Sequence, residues 1–124
     1  MINAGAKSPA IFNIDDVHRR QLNEMIAKYD LKGFTPEDCQ AIWYAWHQLD
    51  CWPDFPSTLT ELREKFVVAS FTILSVSLIV DTAKRNGLSW DAVISCEMIG
   101  AYKIQAKAYE QCARWLALNP NEIL

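Results

Sequence analysis

The stretch Phe66–Thr72 (FVVASFT) most constrains the fold of this chain. A continuous apolar run of strand length predicts a strand covered on both faces, as in parallel sheets. The periodicity then changes to helical over Ser75–Asn86, with Val76, Ile79, Val80 and Ala83 on one face and Gly87 as the stop. Ala92–Ser95 is a second short apolar segment, and Gln105–Leu118 is helical again, with Tyr109, Cys112, Ala113 and Leu116 as its stripe. The order is βαβα, which predicts a partial Rossmann-like parallel sheet over residues 55–124. Two strands are few for such a sheet, so the pattern implies either completion by a partner or a truncated chain.

Upstream the signals are helical. Leu22, Met25, Ile26 and Tyr29 fall at i, i+3, i+4 and i+7 of a helix opening near Asn13–Asp15 and ending before Gly33. Thr35 reads as an N-cap, Pro36 as the first helical residue, and Glu37 and Asp38 as the acidic first turn. The stripe Cys39, Ile42, Trp43, Trp46 and Leu49 carries this helix to Asp50. Pro53 and Pro56 make Cys51–Pro56 a linker, and Thr58–Lys65 a short helix with Leu59 and Leu62 inward. The chain thus divides into an arm (1–12), a helical segment (13–54) and a partial α/β core (55–124).

Composition bounds the function. At 124 residues the chain suits one domain, with roughly two-thirds of its surface buried on folding. A net charge of −3 leaves no basic footprint for nucleic acid or an anionic membrane. The apolar stretch Phe66–Val80 is short of a membrane span and is interrupted by Ser70, Thr72, Ser75 and Ser77. No secretory signal opens the chain, since Met1–Ala10 has one lysine and no apolar segment, and the expectation is a cytoplasmic protein. Its four cysteines form no C-x-x-C pair, so they are expected as reduced thiols. His47 with Asp50, and Asp15 with His18, stand three apart, but no third ligand joins either by spacing, and neither metal nor cofactor is expected.

Lys103 and Tyr109 are the candidates for chemistry that position in the chain singles out. Lys103 follows Gly100 in a strand-to-helix connection, where an ammonium can hold an anionic group, although a solvated lysine fits the same position. Thr72 ends the first strand, Tyr109 lies six residues beyond Lys103 on an apolar stripe, and Trp43 is central to the second helix. Core packing is the plain reading of Tyr109 and Trp43, and a backbone-bonded hydroxyl that of Thr72.

Val17–Asn23 (VHRRQLN), Ala45–Asp54 (AWHQLDCWPD), Gly87–Glu97 and Gly100–Lys103 (GAYK) together resemble the haloacid dehalogenase superfamily in its L-2-haloacid branch, over roughly residues 13–124. The resemblance implies a helical cap (13–54) on an α/β core and hydrolysis of small 2-haloalkanoic acids through an aspartyl ester, without a metal. It gives Lys103 the role of neutralising the carboxylate cluster, Thr72 that of hydrogen-bonding nucleophile or substrate, and Tyr109 a supporting role. It also sets Trp43 in a region overhanging the cleft. The family's Asp-x-x-Gly-Thr nucleophile motif is absent, its Ser-Asn-Gly is Thr72-Ile73-Leu74 here, and Lys103 precedes Ile-Gln-Ala in place of Pro-Asp-Pro. Its last acidic motif would lie beyond Leu124. The expectation is therefore a truncated relative, inactive alone. The alternatives are a non-catalytic module acting as a homodimer and a Mg²⁺-dependent phosphatase relative.

Overall fold

The structure is a computed structural model that describes residues 13–124. The N-terminal arm lies outside the described residues. The described chain runs α1 (Ile14–Lys28), α2 (Pro36–Tyr44), a 3₁₀ turn (Ala45–Gln48), α3 (Phe55–Arg63), β1 (Ala69–Thr72), α4 (Val76–Asn86), β2 (Ala92–Ser95), α5 (Cys96–Ile99), α6 (Ala106–Trp115) and a 3₁₀ turn (Pro120–Glu122).

Local chemistry explains the helix starts. Asn13 caps α1 by accepting from the Asp15 amide at 2.8 Å, and Asp15 and Asp16 complement the positive end of the helix. Thr35 and Asp38 form a reciprocal capping box, with bonds of 3.1 and 2.9 Å, and Pro36 occupies the first turn of α2. Ser75 caps α4 by accepting from the Leu78 amide at 3.1 Å. Gly87 ends α4 and Gly100 ends α5, both left-handed (φ 64° and 67°), where a side chain would be strained.

β1 and β2 pair in parallel, Ala69 opposite Ala92 and Thr72 opposite Ser95. The fold is therefore a two-stranded parallel sheet with helices between and after the strands, as the βαβα order predicts. The buried core comprises Leu59, Leu78, Ile79, Ile94, Cys96, Ala101, Ala108, Cys112 and Ala113, with Trp43 contributed from α2. Phe71, Ile99 and Tyr102 pack against its centre at Cys96, Ala101 and Ala108.

Several boundaries differ from the sequence expectation. The second helix tightens to 3₁₀ at Ala45 and stops at Gln48, because the Asn86 amide group draws the following chain onto α4. Asn86 donates to the Leu49 carbonyl at 2.9 Å and accepts from the Cys51 amide at 2.8 Å. Pro56 is no barrier to α3, since it falls in the first turn, where no intrahelical N–H is needed. The strand begins at Ala69 because the Phe66 amide still bonds the Leu62 carbonyl at 2.9 Å, closing α3. Asp91 then aligns the strand entry, accepting from the Val68 amide at 2.8 Å and from Arg63 at 2.7 and 2.9 Å. The short α5 was not anticipated. Ser95 nucleates it by accepting from the Glu97 amide at 3.1 Å. Leu62, Val80, Ile42, Trp46 and Leu49, expected inward, are exposed.

Candidate functional site

The C-terminal end of β1 gathers three of the four candidates. In a strand, successive residues direct their backbone groups to opposite edges. Val68 uses both its N–H and its C=O toward Asp91, on the β2 side, so Ala69 and Phe71 present theirs to the other edge, which no strand among the described residues pairs. Lys103 Nζ donates to the Phe71 carbonyl at 2.9 Å and lies 5.1 Å from the centre of the Phe71 ring. Tyr109 meets the same ring edge-on at 5.3 Å. Thr72 is the next residue of the strand, and its Oγ1 accepts from the Leu74 amide at 3.0 Å.

These bonds leave donor capacity unused. An ammonium has three N–H groups, and Lys103 commits one of them. The Thr72 hydroxyl accepts and keeps its own proton available. Among the described residues no carboxylate reaches Lys103 within ion-pair distance. A half-buried, uncompensated ammonium beside a strand-end hydroxyl is suited to receiving an anion, and the ends of parallel strands are where open α/β sheets bind ligands.

The surrounding turns are fixed by hydrogen bonds. Ser95 Oγ donates to the Leu74 carbonyl at 2.6 Å. Glu97 accepts from the Val76 amide at 3.1 Å and from the Asn13 side chain at 2.9 Å, tying α1 to the connection after β1. Cys96 is buried beneath Lys103, and burial pushes its thiol up, opposed by the Lys103 backbone amide and charge.

Trp43 and Tyr109 have different settings. Trp43 is buried against Arg19, whose guanidinium lies 3.7 Å from its ring centre, and lines a cavity of about 420 Å³ between α1 and α2. Neither Lys103, Thr72 nor Tyr109 lines that cavity. Tyr109 is 52% exposed and lines a groove of about 350 Å³ along the free edge of β1, with Phe66, Val67, Val68 and Phe71.

A second polar cluster joins α1, the first 3₁₀ turn and α4. His47 Nδ1 lies 2.8 Å from Asp81 Oδ2, and its Nε2 lies 3.6 Å from Asp15 Oδ2. Asp15 Oδ2 also accepts from Ser75 Oγ at 2.7 Å and from Ser77 Oγ at 3.3 Å. Sequence spacing pairs Asp15 with His18 and His47 with Asp50. The folded chain instead brings Asp15 to His47, a long-range pairing that no local period signals. Among the described residues no group of three or more His, Cys, Asp or Glu side chains is arranged to hold a metal.

Comparison with solved structures decides the fold. The chain superposes on an L-2-haloacid dehalogenase with a TM-score of 0.84 at 27% identity, covering 94% of this chain and 51% of that one. The fold is haloacid dehalogenase-like. A defluorinating L-2-haloacid dehalogenase matches with a TM-score of 0.81 at 28% identity, over 98% of this chain and 49% of that one. The L-2-haloacid dehalogenase of Xanthobacter autotrophicus, with chloropropionic acid covalently bound, shares the fold at a TM-score of 0.70 and 19% identity, over 89% and 45%. This haloacid dehalogenase-like chain thus spans about half the length of the solved structures it matches. No family model and no curated protein matches the sequence.

Proposed function

We propose that the chain carries the anion-holding part of a hydrolytic dehalogenase site for small 2-haloalkanoic acids. Lys103 supplies the positive charge, Thr72 a hydroxyl donor, and Tyr109 a wall against Phe71. The observation that carries this reading is the Lys103 ammonium held on the Phe71 carbonyl with no carboxylate against it among the described residues. The two similar structures above 25% identity, both L-2-haloacid dehalogenases, support the substrate class. In this reading residues 13–54 act as the cap, Trp43 stiffens that cap, and catalysis requires an aspartate nucleophile presented to Lys103. Among the described residues none is within ion-pair distance, so the chain by itself binds without turnover.

Calorimetric titration with 2-chloropropionate and a chloride-release assay test this together. One or two charge-assisted hydrogen bonds of about 1.5–3 kcal/mol each, about 1.5–6 kcal/mol together, correspond to a dissociation constant between roughly 0.1 M and roughly 0.05 mM. Lys103→Ala is expected to abolish binding, and chloride release is expected from neither protein. Chloride release by the chain alone would overturn the inactive reading, and Lys103-independent binding would overturn the site.

The free edge of β1 favours a second reading, self-association. Ala69 offers its backbone groups there and Phe71 its N–H, and Phe66 and Val67 are exposed with no charge among residues 66–72. Pairing of β1 with its counterpart in a second copy about a two-fold axis would be antiparallel and isologous. Sedimentation should then show a dimer that Val67→Lys dissociates. A monomer at all concentrations would exclude it.

A further inference from the structure

We propose that the cavity between α1 and α2 binds a small aromatic carboxylate, whose anionic group is held by Arg19 beside Trp43. The cavity measures about 420 Å³, within the range of small-molecule sites, and Lys103, Thr72 and Tyr109 take no part in it. Arg19, in α1, stands with Cζ 3.7 Å from the centre of the Trp43 ring. Cation–π attraction pins the guanidinium at that contact without using its N–H groups. Nη1 is committed to Asp16 at 3.1 Å, whereas Nε and Nη2 meet no acceptor among the described residues. The free pair of nitrogens is the one with which Arg63 grips Asp91, at 2.9 and 2.7 Å. It is a fork matched to a carboxylate.

The rest of the lining points to the same ligand. Trp43 is 8% exposed, and its Nε1–H is buried with no acceptor among the described residues. A buried donor left unpaired is costly, so an oxygen brought in beside Arg19 is favoured by both groups. The side-chain amides of Asn23 and Gln40 also line the cavity and make no hydrogen bond among the described residues. No carboxylate lines it. Asp16 meets Arg19 in an exposed pair that solvent screens, and Asp38 accepts from the Thr35 amide at 2.9 Å. Leu22 and Phe34 supply apolar walls, and Phe34 is 44% exposed. A half-exposed phenyl ring is stabilised when another aromatic ring covers it. Unpaired donors together with apolar walls select a carboxylate carried on a ring.

Benzoate is the probe. NMR titration of the full chain should give a saturable shift of the Trp43 indole N–H, one of five indole signals, with a dissociation constant on the order of 1 mM. 2-Chloropropionate has the anion but no ring. It should leave that signal in place and should not displace benzoate, which separates this cavity from the Lys103 site. Arg19→Gln should weaken benzoate binding by at least about tenfold. Cys39 gives a readout that needs no variant, since it lines the cavity and is partly buried. Bound benzoate should slow its reaction with a thiol reagent and leave that of Cys51, which lies outside the lining, unchanged. A Trp43 signal that stays fixed up to about 20 mM benzoate, or that 2-chloropropionate moves as readily, would overturn the site. So would an affinity unchanged in Arg19→Gln, or a Cys39 rate that benzoate does not alter.

Discussion

Removing the Ser75 hydroxyl is predicted to be among the most damaging single-atom deletions in the chain. Ser75 is 1% exposed, and besides a 3.1 Å contact with Ser77 Oγ its own Oγ makes two bonds. It accepts from the Leu78 amide at 3.1 Å as the N-cap of α4, and it donates to Asp15 Oδ2 at 2.7 Å. Loss of an N-cap costs about 1 kcal/mol. Loss of a hydrogen bond to a charged acceptor costs about 1.5–3 kcal/mol, and burial of Asp15 places this one toward the upper end. Ser75→Ala should therefore destabilise by about 3 kcal/mol, a large fraction of the roughly 5–15 kcal/mol of an ordinary domain. Ser75→Gly retains most of the cap but not the bond to Asp15, and should cost about 2 kcal/mol. Ser77→Ala removes a 3.3 Å contact to the same oxygen and a 3.1 Å contact to Ser75 Oγ, both from an exposed position, and should cost less than about 1 kcal/mol. With a urea m value of about 2 kcal/mol/M, the Ser75→Ala midpoint falls by roughly 1.5 M at unchanged slope. Equal midpoints for Ser75→Ala and Ser77→Ala would refute the reasoning, because the cap and the buried charge would then contribute nothing distinguishable.

Three further outcomes follow from the structure. Asp91 is held below the ordinary carboxylate range by the Arg63 guanidinium and then the Val68 amide. Its stabilising contribution is therefore present above that range and is lost as pH falls through its depressed value. Asp91→Asn should flatten the acid limb of a urea-midpoint profile, and an unchanged limb would contradict this. Burial pushes the Cys96 and Cys112 thiols up, whereas Cys39 and Cys51 are only partly buried, so a thiol reagent should label Cys39 and Cys51 first; equal rates at all four would contradict the packing. Gly100→Ala meets open space but forces a left-handed alanine at φ 67°, and should cost about 1–2 kcal/mol by urea unfolding.

The parts legible in the sequence were those fixed by local chemistry. Thr35-Pro36 announces α2 because a cap and a first-turn proline act within one turn. Gly87 stops α4 because few other residues adopt its backbone angles. The parallel pairing of β1 with β2 followed from strand-length runs separated by a helix. What was not legible depended on distant partners. Nothing near Trp46 or His47 predicts that Asn86, in another helix, will capture the chain at Leu49 and Cys51 and end α2 early. The exposure of Met25, Tyr29, Ile42 and Trp46 likewise contradicts a simple stripe reading, because apolar periodicity reports a face without saying what covers it. At the candidate site, Lys103 and Tyr109 are signalled by position and Thr72 by resemblance alone, and their convergence on Phe71 is a property of the fold. Trp43 belongs to a different cavity, and the Asp15–His47–Asp81 cluster required tertiary structure to appear at all.

The central claim is that Lys103 and the end of β1 receive a small carboxylate anion. Amide and lysine-ammonium NMR during titration with 2-chloropropionate tests it most directly. The account predicts saturable shifts confined to Phe71, Thr72, Lys103 and Tyr109, absent in a folded Lys103→Ala protein. Shifts that persist in that variant, or that cluster around Trp43 and Arg19 instead, would contradict it.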